Sequence, residues 1–131
     1  MTPVDPDSLV QLMYAAIRAG NVGDCQPLEG LVTAEAYARL AASSGRPDLH
    51  RKLAAVLLCR AGYERANGNY DLGDRAEAEA IAYIVEAAKG QDLRATAALR
   101  FACADLATEL LVEAAEIISA PQFNQHFAGN C

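Results

Sequence analysis

The sequence predicts an all-α protein. Alanine, the strongest helix former, supplies 28 of the 131 residues. Apolar residues recur at alternating steps of three and four, the spacing that lines one face of a helix. Residues 92–120 contain neither glycine nor proline. Aromatic residues make up only 6% of the chain, with no tryptophan and no long β-branched run, so nothing argues for a sheet.

Asp5-Pro6-Asp7-Ser8 opens the first helix. Asp5 suits the cap, Pro6 the first helical position, and Asp7 the positive end of the helix dipole. Leu9, Leu12, Met13, Ala16 and Ile17 form its apolar face, and Gly20 is expected to end it. Residues 21–32 read as a loop punctuated by Gly23, Pro27 and Gly30, with Leu28, Leu31 and Val32 tucked beneath the helices. Thr33 then caps a short second helix reaching Ala42, with Ala34, Tyr37, Ala38 and Ala41 inward. Ser43-Ser44-Gly45-Arg46-Pro47 breaks the chain.

A third helix is expected from Asp48 to Ala66, with Leu49, Leu53, Val56, Leu57 and Ala61 on its buried side and Leu58 and Tyr63 widening it. The polar run 67–73 reads as a turn centred on Asn67-Gly68. Asp74, three residues before Glu77, is placed to cap a fourth helix with Ile81, Ile84, Val85 and Ala88 along its seam and Gly90 at its end. The brief connection Gly90-Gln91 makes helices four and five an antiparallel hairpin.

The fifth helix is predicted to run from Asp92, which suits its N-cap, to Ala120, about 40 Å at ~1.5 Å per residue, until Pro121 stops it. Two apolar stripes, one through Leu99, Cys103, Leu106, Leu110, Ala114 and Ile117 and one through Phe101, Ala104, Leu111, Ala115 and Ile118, call for neighbours on more than one side. Asp105, Glu109, Glu113 and Glu116 make a third stripe, read as a solvated acidic face rather than a metal site because like charges at that spacing repel. The predicted architecture is a helical bundle of four main helices plus one short helix, with the long C-terminal helix at its centre. Residues 1–120 form the single domain, and residues 121–131 a tail carrying Phe123, His126 and Phe127.

Ala61-Gly62-Tyr63, Gly68-Asn69-Tyr70 and Gly73-Asp74-Arg75-Ala76 resemble the junction between the two helices of a tetratricopeptide repeat. The resemblance covers one repeat at most. The loop is longer than that family's, the final helix is about twice a repeat helix, and no second copy stands at a fixed period. No family follows from it, and a solenoid fragment stands only as a structural alternative.

The net charge of −6 disfavours nucleic acid and anionic membrane as partners. It is unevenly spread: residues 1–38 carry −4, residues 39–65 carry +4, and the remainder carries −6. The basic middle is expected to meet acidic helices of its own fold or of a second copy. No apolar run reaches ~18 residues and no signal peptide opens the chain, so a cytoplasmic setting is expected. Short, alanine-rich chains of this kind are common in bacteria.

Cys25, Cys59, Cys103 and Cys131 form no C-x-x-C pair, and His50 and His126 sit in no E-x-x-H or H-x-x-x-H spacing, so neither a zinc site nor a di-metal bundle is indicated. No phosphate loop and no nucleophile elbow occur. No catalytic residue and no cofactor are assigned. The leading expectation is a protein–protein interaction module, associating with a protein partner or with a second copy of itself through Phe101, Leu111, Ile118, Phe123 and Phe127. The alternative is a small-ligand-binding regulatory bundle, its pocket lined by Tyr14, Tyr37, Tyr63 and Tyr83 and oriented by Arg60 or Arg100. Arg60 and Arg100 are both expected to be held by structural pairing with carboxylates first.

Overall fold

The computed structural model describes residues 5–100, Arg100 by its backbone alone, together with Val112. Three of its helices begin on proline, whose missing N–H costs nothing in a first turn. They are α1 (Pro6–Asn21), α2 (Pro27–Ala42) and α3 (Pro47–Ala66); α4 (Tyr70–Lys89) and α5 (Leu93–Arg100) complete the set. Among the described residues the secondary structure is all helical, as composition and periodicity predict. No described helix is long and apolar enough to cross a membrane.

Extensive contact runs between helices adjacent in the chain: α1 on α2, α2 on α3, α3 on α4, and α4 on α5. Short connections impose this. Only Asn67 to Asn69 separate α3 from α4, and Gly68 takes a positive φ of 83° to reverse the chain. Asp5 caps α1, its carboxylate accepting from Ser8 N–H at 3.2 Å. Asp92 caps α5, accepting from Ala95 N–H at 2.9 Å. Both caps sit where the sequence places them.

The core gathers Met13 of α1, Leu49, Leu53, Val56 and Leu57 of α3 and Ile84 of α4, all fully buried. Each contributes about 1.5–3 kcal/mol on leaving water. Alanines fill the space between: Ala34, Ala38 and Ala41 from α2, Ala80 and Ala87 from α4, Ala95 and Ala98 from α5. The buried face read for α3 is thus the one observed.

Three boundaries differ from expectation. The second helix is no short connector. It starts at Pro27 and runs 16 residues, so Thr33 is an exposed mid-helix residue and not a cap. Gly30 reads as a turn glycine but is a packing glycine. Its Cα lies so close to α1 that an added Cβ would stand 2.7 Å from the carbonyl oxygen of Ala16 and 3.0 Å from the Cα of Gly20. Gly20, for its part, does not end α1, which continues through Asn21. The α1–α2 crossing is therefore made backbone to backbone.

The fourth helix begins at Tyr70, four residues before its expected start, so the polar run 67–73 is mostly helix. The connection is therefore Asn67 to Asn69 alone, shorter than the loop read from the sequence. Of the seam read for this helix, Ile84 is fully buried and Val85 and Ala88 pack against the core, but Ile81 is 39% exposed; the buried line also takes in Gly73, Ala76, Ala80 and Ala87. Small residues let α3 approach there: a Cβ at Gly73 would meet Arg65 Cγ at 2.6 Å and the carbonyl of Ala61 at 3.2 Å. Leu12, expected inward on α1, is 42% exposed. For the long fifth helix, Leu93–Arg100 is described, and the stripes beyond it, with the tail 121–131, lie outside the described residues.

Two glycines test this packing from opposite directions. Gly30→Ala should destabilise the protein by about 1–3 kcal/mol, because the new methyl meets backbone that cannot yield. Gly62→Ala, on the exposed side of α3 with nothing within 4 Å of its Cβ, should stabilise by about 0.5–1 kcal/mol through helix propensity. Denaturant midpoints of the two variants check both signs.

Candidate functional site

Glu35 stands on the inner face of α2 between Ala34 and Ala38, and only 8% of it is exposed. A carboxylate there requires cations, since an unpaired buried charge is costly. Arg39, one turn on, supplies the first: its Nε donates to Glu35 at 3.0 Å, with Nη2 2.8 Å from the same carboxylate. Arg60 of α3 supplies the second, donating from Nη1 at 2.7 Å.

Arg39 reaches onward to α4. Its Nη1 and Nη2 donate to the two oxygens of Glu79 at 2.6 and 2.9 Å, a bidentate fork that suits guanidinium geometry. Nη1 also donates to the Tyr83 hydroxyl at 3.4 Å. At the other end Glu64, 4% exposed, accepts from Asn69 at 2.9 Å, and Arg60 Nε lies 4.0 Å from it. One chain of polar contacts thus ties α4, α2, α3 and the α3–α4 turn together.

The electrostatics follow. Beside Arg39, the Glu79 carboxyl is held below the usual carboxylate range, chiefly by the guanidinium hydrogen bond. The Arg39 guanidinium is correspondingly raised, first by its bond to Glu79.

Above these groups opens a cleft of about 160 Å³. Glu35 and Arg39 form its α2 wall, Leu57 and Arg60 its α3 wall, and Leu72, Arg75, Ala76 and Glu79 its α4 wall. The α4 residues follow the three-and-four spacing of one helical face.

The basic stretch 39–65 meets its own fold, as its charge suggests. Arg46 pairs with Asp7 at 3.0 Å and Asp48 at 2.9 Å, Arg51 with Asp92 at 2.8 Å, and Arg65 with Asp74 at 2.8 Å and Glu77 at 2.7 Å. Asp74 and Glu77 are thereby ion-pair partners inside α4, not a capping box. Lys52 donates to the Tyr14 hydroxyl at 3.4 Å.

The residues proposed from sequence as one pocket are distributed. Arg60 has the carboxylate partner expected of it, and Tyr83 joins the same network through Arg39. The Tyr83 ring also stacks on His50 at 5.9 Å. Tyr14 belongs to Lys52. Tyr37 packs against the core. Tyr63 lines a separate apolar cleft with Ile17, Leu31 and Cys59, where burial pushes the Cys59 thiol up to about 11. Cys25 and Cys59 are free thiols. The Arg100 side chain, and Phe101, Leu111, Ile118, Phe123 and Phe127, lie outside the described residues. Sequence reasoning missed Glu35, Arg39 and Glu79. The signal available was Glu35 itself, a carboxylate on an alanine face with arginine at the helical i+4 position.

The depressed Glu79 carboxyl gives a pH dependence with a definite sign. A group whose folded pKa lies below its unfolded value stabilises above the unfolded value, about 4.3 for glutamate, and loses that contribution as pH falls through the folded one. Thermal melts of wild type and Glu79→Gln should therefore differ most near neutral pH, and converge as the solution is acidified below the carboxylate range.

Compared with protein-family models, with curated proteins and with solved structures, the chain matches none.

Proposed function

We propose that this chain is a non-catalytic helical interaction module that associates with a second copy of itself, with the outer face of α2 as the contact. The observation that carries the reading is an uncharged stripe on that helix. Val32 is 43% exposed and Leu40 58% exposed, and Ala36 stands exposed between them. Steps of four residues set the three side chains in one row about 12 Å long. Thr33 and Ser43, small and uncharged, flank it.

Large apolar side chains aligned on one helix are the usual basis of helix-on-helix association, and a small residue at the midpoint lets two backbones approach. Two copies crossing at Ala36 would place Val32 of one beside Leu40 of the other, the self-complementary pattern of a two-fold dimer. Covering these side chains is worth about 1.5–3 kcal/mol each. The uneven charge does not orient the copies in this reading, because the bases of residues 39–65 are engaged within the chain. A reducing, cytoplasmic setting belongs to the same proposal and accords with the free thiols.

The alternative, a small-ligand-binding regulatory bundle, draws support from the cleft at Arg60.

Light scattering tests the leading reading. The wild type should show the mass of a dimer at high concentration, and Leu40→Glu the mass of a monomer with undiminished helical circular dichroism. Leu40 is on the surface, so the charge should leave the fold intact. A wild type that stays monomeric, or a Leu40→Glu variant that dimerises as well as wild type, would sink the proposal.

A further inference from the structure

We propose that the cleft between α2, α3 and α4 is a binding site for a small organic monocarboxylate with a compact apolar body. A guanidinium offers five N–H groups. Arg39 commits all three of its nitrogens to Glu35, Glu79 and Tyr83. Arg60 spends only Nη1, on Glu35; its Nε stands 4.0 Å from Glu64, beyond hydrogen-bond reach, and its Nη2 makes no bond to the described residues. Arg75, exposed on the α4 wall of the cleft, has no partner among the described residues.

The charges agree with the donors. Of the three guanidinium groups that line the cleft, Arg39 and Arg60 answer Glu35, Glu79 and the adjoining Glu64, and Arg75 has no carboxylate partner among the described residues. A single carboxylate matches it, and planar donor forks suit that anion.

The rest of the lining is apolar. Leu57 and Ala76 are buried at its base, and Leu72 stands at its edge, 46% exposed. A cavity of ~150 Å³ holds a molecule the size of benzene, and this cleft measures about 160 Å³. The ligand is therefore of about the bulk of benzoate or a branched short-chain acid. Its carboxylate would lie between Arg60 and Arg75, and its body against Leu57 and Leu72. Glu35 and Glu79, both acceptors, would repel a second anionic group and so select against dicarboxylates and multiply charged phosphates.

Sodium benzoate is the probe, titrated into the full chain and followed by amide chemical shifts and thermal melting at constant ionic strength. Saturable shifts centred on Leu57, Leu72 and Ala76 are expected below about 10 mM, with a rise in melting temperature. Arg75→Gln, a surface change that spares the Glu35 and Glu79 pairs, should weaken binding about tenfold or more while leaving the melting temperature of the free protein unchanged. Leu72→Ala should weaken it through the apolar side alone. Benzamide, the neutral isostere, should bind more weakly than benzoate.

Absence of saturation overturns the proposal. So does equal binding of benzamide, which would remove the arginines from recognition. Inorganic phosphate binding as well as benzoate would remove the apolar body. An Arg75→Gln variant that binds like wild type would place the anion elsewhere.

Discussion

A carboxylate buried on an alanine face fixes much of how these helices meet. Glu35 has almost no access to water, so its charge must be answered by protein. One answer comes from its own helix, Arg39, and one from the next, Arg60. Because Arg39 also forks onto Glu79, α4 is drawn into the same arrangement. Apolar contact between alanine-rich helices is tolerant of sliding, whereas a set of directed, charge-assisted bonds is satisfied in one register. The network thus specifies the placement of α2 against α3 and α4, and the buried Met13, Leu53 and Ile84 supply the gross stabilisation.

The same arrangement leaves an opening. Long arginine and glutamate side chains stand around the cleft, while Gly73 brings α4 close to Ala61 and Arg65 of α3. A cleft walled by ion pairs and floored by leucine and alanine follows from putting long and small residues side by side.

Much of the fold was legible in the sequence, because helix signals are local. Asp5 and Asp92 were readable as caps, and the step pattern of Leu49, Leu53, Val56 and Leu57 named the face of α3 that is buried. Glycine was the ambiguous letter. At positions 68 and 45 it turns the chain with a positive φ, but at 30 and 73 it sits inside a helix because another backbone or side chain occupies the space a Cβ would need. Nothing local separates the two uses, so the starts of α2 and α4 were placed too late. On α4 one seam residue, Ile81, was misread for a related reason. Ile81 looks like core, but alanines carry the close contact and Ile84 sets the phase. The site was less legible still: Arg39 and Glu79 are 40 positions apart, and no period or spacing announces that pairing.

Contact between successive helices has a consequence for how the chain comes into being. Short connections close at little entropic cost, and structures dominated by such neighbours belong to the class that folds in microseconds to milliseconds. A chain emerging from the ribosome can join α1 to α2 before α3 exists. At that stage Arg60 is not yet available to Glu35. Arg39 is, because it was synthesised four residues later on the same helix. The i+4 pair is local to α2, so Glu35 already has a cation beside it when α3 and α4 close over that face.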